Sequence, residues 1–251
     1  MPAIDLNCDL GESFGAYTIG MDSAVIPYIT SANVACGFHA GDPLVMRKTV
    51  AACKASGVHI GAHPGYPDLM GFGRRNIAAT PAEVKAYIQY QIGALSAFCA
   101  AAGVPLCHVK PHGAMYNMAA KDEAIARAIC EGILEVSPKL TLLALSGSAM
   151  VRAAHALGLS VRSEVFADRG YQSDGTLVPR GRPGAMITDE DEAIARVIRM
   201  AEEGVVRSVD GIDVPLTADS VCVHGDGEKA LAFVRRIRSA LTDAGIEVRP
   251  L

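Results

Sequence analysis

Ala3-Ile4-Asp5-Leu6-Asn7-Cys8-Asp9 is the stretch whose reading decides the fold. Successive side chains of a strand point to opposite faces, so Ile4, Leu6 and Cys8 share one face and Asp5, Asn7 and Asp9 share the other. A strand buried on both faces of a parallel sheet should read as an almost continuous apolar run. Here the apolar face is available for packing helices, and the ionisable face needs a polar interior. A closed barrel provides both.

Working outward, strand-like runs alternate with helical patterns through the whole sequence. The runs are Ala3 to Asp9, Ser31 to Gly37, Val58 to His63, Val104 to His112, Leu140 to Leu145, Leu159 to Asp168 and Ser220 to His224. Thr80-Pro81-Ala82-Glu83 reads as a capping box with proline at the first helical position, followed by Val84, Ile88, Ile92, Leu95 and Cys99 at helical spacing. Asp42-Pro43 starts a second helix, Thr188 with Asp191 a third, and Leu231, Val234, Ile237 and Leu241 mark the last. No linker, charge block or repeat divides the chain. The expectation is a single α/β domain over residues 1–251, a seven-stranded (β/α)7 TIM-like barrel. An open doubly wound sheet would show the same alternation, but Asp9-Leu10-Gly11-Glu12-Ser13 follows the first strand in place of a G-x-G-x-x-G turn.

Composition narrows the partners. The 251 residues are 50% hydrophobic and 20% charged with a formal net charge of -4, enough for a full core and without the basic field that draws proteins to nucleic acid or anionic membrane. The expected partner is a small molecule. No run is long and apolar enough to span a bilayer and the first residues carry no leader pattern, which predicts a cytoplasmic protein. Seven cysteines without a C-x-x-C pair support neither a disulfide framework nor a zinc knuckle.

Catalytic side chains of barrel enzymes gather at the C-terminal ends of the strands. Asp9, His39, His63, His112, Asp168 and His224 fall there, and the period-two pattern puts Lys110 in phase with His112, Arg162 with Glu164, and Asn33 with His39. A lone histidine is more often a packed or surface residue, but several at equivalent strand ends point to one mouth. His59, His108 and His155 are read as packing or surface residues. The expected catalytic set is Asp9, Glu12, His39, His63, Lys110, His112, Glu164 and His224. Asn7, Asn33, Arg74, Arg169, Tyr171 and Asp226 are the expected substrate contacts. Arg75 and Arg182 are as readily solvated loop charges. Glycine after several of these positions lets backbone approach a ligand. Asp9, His39 and His63 could together hold zinc and activate water. The metal-free reading is preferred because Lys110 in the same lumen would repel a cation and no compact ligand motif is present. No tightly bound transition metal is therefore expected. There is no nucleophile elbow around Ser146-Gly147-Ser148 and no P-loop, so covalent catalysis and P-loop nucleotide binding are not indicated.

Five segments carry a family resemblance: Asp5-Leu6-Asn7-Cys8-Asp9-Leu10-Gly11-Glu12-Ser13-Phe14-Gly15, Asn33-Val34-Ala35-Cys36-Gly37-Phe38-His39-Ala40-Gly41-Asp42-Pro43, Gly61-Ala62-His63-Pro64-Gly65-Tyr66-Pro67-Asp68, Val109-Lys110-Pro111-His112-Gly113-Ala114-Met115-Tyr116-Asn117 and Glu164-Val165-Phe166-Ala167-Asp168-Arg169-Gly170-Tyr171. With Gly71-Phe72-Gly73-Arg74-Arg75 and Val223-His224-Gly225-Asp226, the sequence resembles the LamB/YcsF family over essentially its whole length. The resemblance implies the seven-stranded barrel of the glycoside hydrolase/deacetylase group. It also implies the A component of an ATP-dependent 5-oxoprolinase, which with B and C subunits converts 5-oxo-L-proline, ATP and water into L-glutamate, ADP and phosphate. ATP with Mg is then expected to be handled together with the partner subunits. A metal-dependent deacetylase or amidohydrolase of a small amide is the alternative enzyme reading, and a small-molecule binding or regulatory component the non-catalytic one.

Overall fold

A computed structural model describes residues 3–223 and 228–250. The alternation of the first strand sets the architecture: β1 (Ala3–Leu10) buries Ile4, Leu6 and Cys8 against helices and turns Asp5, Asn7 and Asp9 inward. Around it stand β2 (Ser31–Ala35), β3 (His59–His63), β4 (Leu106–Val109), β5 (Thr141–Leu145) and β6 (Val161–Phe166). Two short strands, β7 (Val205–Arg207) and β8 (Asp213–Pro215), pair antiparallel as a separate ribbon before β9 (Ser220–Val223). All barrel pairings are parallel, and β9 pairs with both β6 and β1, so seven strands close on themselves. A two-residue β10 (Glu247–Val248) adds to the outer end of β1.

Closure excludes the open doubly wound sheet. Register then decides which lumenal residues become neighbours: Asp9 pairs with Asn33, Ala35 with His63, Leu145 with Glu164 and Asn7 with Cys222. Gly61 has a specific task here, because a Cβ built on it would lie 2.1 Å from Nε2 of His108. The imidazole of β4 occupies the space that a side chain of β3 would otherwise fill.

The helices form the outer layer. After the short α1 (Asp22–Val25), α2 (Pro43–Ser56) is capped by Asp42, whose carboxylate accepts from the backbone N–H groups of Leu44 and Val45. The capping box at Thr80 and Glu83 starts α3 (Pro81–Ala102) as the sequence predicts. Next come α4 (Gly113–Ala119), α5 (Glu123–Val136) and α6 (Ala149–Leu157). The cap of α7 (Glu190–Glu203) is Asp189 rather than Thr188, since the Asp189 carboxylate accepts from the N–H of Glu192. Last is α8 (Glu228–Asp243). Among the described residues no helix is long and apolar enough to cross a membrane, and all seven cysteines are free.

Candidate active site

Asp9, near the mouth end of β1, is the hub. Its Oδ1 accepts from Nζ of Lys110 at 2.9 Å and from Nδ2 of Asn33 at 2.9 Å, while its Oδ2 lies 3.3 Å from Nε2 of His63. Lys110 follows the end of β4, and its ammonium also reaches Glu164 Oε1 at 2.8 Å and Cys222 Sγ at 3.1 Å. Burial alone would depress that ammonium, but Asp9, Cys222 and Glu164 outweigh it and hold its pKa well above the ordinary lysine value. Lys110 is therefore a fixed cation, with its charge divided between two carboxylates. The hydroxyl of Tyr116, on α4, donates to Glu164 Oε2 at 2.7 Å.

Beside this charge cluster lies a histidine cluster. The rings of His39 and His112 stack with centroids 3.6 Å apart and planes 3° from parallel, and His63 stands edge-on to both. Nε2 of His39 is 3.2 Å from Glu12 Oε1. His112 contacts His63 through Nδ1 and the carbonyl of Phe72 through Nε2. Burial, reinforced by the neighbouring imidazoles, holds His39 and His112 well below the usual histidine pKa, so both rings are neutral near pH 7. Among the described residues, Glu12, His39, His63 and His112 bring one ligand atom each within 4.8 Å of one another. This widens the expected metal set, because Glu12 and His112 join the two histidines, while Asp9 meets the group through His63. The charge argument against a cation is also weakened, since two carboxylates, Asp9 and Glu164, stand against the one ammonium of Lys110.

Both clusters border a cavity of about 550 Å³ at the C-terminal mouth, reached by Asp9, Glu12, His63, Lys110 and His112, with Arg74, Lys121 and Arg180 also along its lining. Volumes of this order suit small-molecule ligands.

Several expected substrate contacts lie elsewhere. Asn7 and Asn33 are fully buried below the mouth, outside the cavity lining. Asn7 donates to Ser220 and accepts from Asn33, whose own carbonyl contacts His108. They position Asp9 and Lys110; the alternation of a strand reveals the lumenal face but not depth along the barrel. Tyr171 is also buried outside the cavity, its hydroxyl accepting from the N–H of Phe166. Arg169 lines the cavity, but its guanidinium donates to the carbonyls of Ala185 and Val178, tying down the segment between β6 and α7. Arg74 lines the cavity over the ring of Phe72. His224 and Asp226 lie outside the described residues. His108 is buried and bonded to Asn33, and His155 is exposed, in keeping with their reading as packing and surface residues. Tyr116 is absent from the expected set, although it stands one helical turn after His112 in a segment entering the mouth.

The family model described as LamB/YcsF family matches residues 4–251. The chain belongs to the LamB/YcsF family. It is 61% identical to a protein of Clostridium beijerinckii named as the A subunit of 5-oxoprolinase, covering 100% of this chain and 98% of that one. Its identity to the Bacillus subtilis protein of the same name is 58%, covering 98% and 95%. The lactam utilization protein of Thermus thermophilus superposes with a TM-score of 0.93 at 48% identity, covering 99% of this chain and all of that structure.

Proposed function

We infer that this chain is the A component of an ATP-dependent 5-oxoprolinase and opens the lactam ring of 5-oxo-L-proline. The observation that carries the reading is end-to-end identity of 55–61% to relatives of that name, on a fold whose mouth collects acids, bases and a fixed cation. Residues 1–251 then form one catalytic domain in the cytoplasm. B and C subunits are its partners, and ATP with Mg is handled together with them.

A lactam amide resists water because of its resonance, and transfer of a phosphoryl group to the amide oxygen would make the ring carbon electrophilic. Water adding to that carbon must lose a proton, the ring nitrogen must gain one as the C–N bond opens, and the acyl phosphate left by ring opening takes a second water to give the glutamate carboxylate and free phosphate. His63 and His112 present proton-accepting nitrogens at the cavity wall, beside Asp9 and Glu12. Lys110, held between Asp9 and Glu164, supplies positive charge where oxygen becomes negative. Arg74, Lys121 and Arg180 at the rim suit the substrate carboxylate and the phosphoryl group.

The test is 5-oxoproline-dependent ATP hydrolysis and glutamate release, measured with and without the partner subunits. Coupled turnover only in the assembled enzyme is expected; efficient turnover by the isolated chain would remove the partner requirement, and none in the complex would remove the assignment.

A further inference from the structure

The hydrogen-bond partners of His63 and His112 fix where their hydrogens sit. Nδ1 of His63 is 2.7 Å from the carbonyl oxygen of Lys110, and Nε2 of His112 is 2.8 Å from that of Phe72. A carbonyl only accepts, so these two nitrogens carry the N–H groups. The remaining nitrogens, Nε2 of His63 and Nδ1 of His112, are the ones left to meet a ligand. They face each other at 3.0 Å. Asp9 Oδ2 stands 3.3 Å from the first and Glu12 Oε1 3.6 Å from the second. Two imidazole nitrogens, each with a carboxylate oxygen beside it, thus border one shared space.

We propose that His63 Nε2, His112 Nδ1, Asp9 Oδ2 and Glu12 Oε1 form a binding site for one divalent cation of the zinc class. Zinc bonds of about 2.0–2.2 Å to nitrogen and oxygen imply tetrahedral edges of roughly 3.3–3.6 Å between ligand atoms. Three of the separations, 3.0, 3.3 and 3.6 Å, lie within or close to that range. The second contacts are those a metal-bound histidine makes, each ring donating its other N–H to a backbone carbonyl. Asp9 is oriented in the same way, with Oδ1 on Lys110 and Asn33 and Oδ2 turned toward His63. His39 is an outer partner rather than a ligand. Among the described residues its Nδ1 is buried without a hydrogen-bond partner, so a hydrogen there would be stranded, whereas one on Nε2 donates to Glu12.

The site goes beyond lactam opening, and with a cation bound Nε2 of His63 and Nδ1 of His112 have no lone pair left to accept a proton, so it excludes the proton-accepting role given to them above; its test reads cation binding rather than turnover, so either idea can fail alone. The full chain, stripped with a chelator, is titrated with zinc by calorimetry and with cobalt by visible absorption. One cation per chain and the intense visible bands of tetrahedral cobalt are expected. H63Q and H112Q should each weaken binding by more than the roughly 10–100-fold that losing an outer partner costs, and H39Q by an amount within that range. E12Q, which keeps shape and removes charge, gives the same test if H112Q does not fold, and should also weaken binding. Lack of saturable binding would overturn the site, as would binding that H63Q, H112Q and E12Q leave unchanged.

Discussion

Nζ of Lys110 lies 2.8 Å from Oε1 of Glu164, with both side chains buried. Removing one member of a buried pair leaves an uncompensated charge, which typically costs about 3–5 kcal/mol. Lys110→Met strands Glu164 and weakens the hold on Asp9, so a stability loss of that size is expected in denaturant unfolding. Glu164→Gln leaves the ammonium paired with Asp9 and should cost less. The double variant should be more stable than Lys110→Met alone, because it removes the stranded carboxylate. Equal stability of Lys110→Met and the native chain would show that the pair is not holding the lumen together.

His112 reaches the cavity through Nδ1 while Nε2 holds the Phe72 carbonyl. Glutamine can still donate to that carbonyl, so His112→Gln should keep its fold while turnover in the reconstituted enzyme falls by roughly 10²-fold or more, the usual scale for general acid–base catalysis. Melting and turnover belong on the same preparation. Near-normal turnover per folded molecule would take His112 out of the proton-transfer set.

Face is legible in the sequence, whereas depth and partnership are not. Asp5, Asn7 and Asp9 announce a polar lumen through their period alone, and strand-end positions bring Asp9, His63 and His112 to one mouth. The same period makes Asn7 and Asn33 look like ligand contacts, because nothing in a strand pattern says how far below the rim a residue sits. Helix α5 carries a local signal of its own, with Asp122 as its cap and Ile125, Ile129 and Ile133 at four-residue spacing. The contacts of His112 with the Phe72 carbonyl and of Glu164 with Tyr116 join distant segments, so no local signal encodes them.

Gly113 follows His112 as if to admit substrate, but its neighbour is the protein itself. It has φ +56°, and a Cβ there would lie 2.5 Å from the carbonyl oxygen of Gly73, the same oxygen that accepts from the N–H of Ala114. Gly113→Ala must therefore displace the loop that bonds His112. At Gly147, φ is +71° and nothing lies within 4 Å of an added Cβ, so alanine there should cost only the left-handed penalty of about 1–2 kcal/mol. Thermal melting should show a clearly larger loss for Gly113→Ala; equal losses would mean that the contact with Gly73 relaxes freely.

His108 gives a pH signature with a defined sign. Burial, with the charge of Lys110 second, lowers its pKa from 6.5 to about 3, so the folded chain keeps the ring neutral while the unfolded chain takes up a proton. Stability contributed by the neutral ring is complete above about pH 6.5 and is lost as the pH falls toward 3. Between these values one extra proton on the unfolded state corresponds to a slope of about 1.4 kcal/mol per pH unit. His108→Asn removes that proton, so its unfolding free energy should be lower near pH 7, where the contact with Asn33 is lost, yet decline less steeply between about pH 6 and 4. Denaturant unfolding of both chains across that range is the measurement. Parallel slopes would show that His108 is not a source of the acid sensitivity.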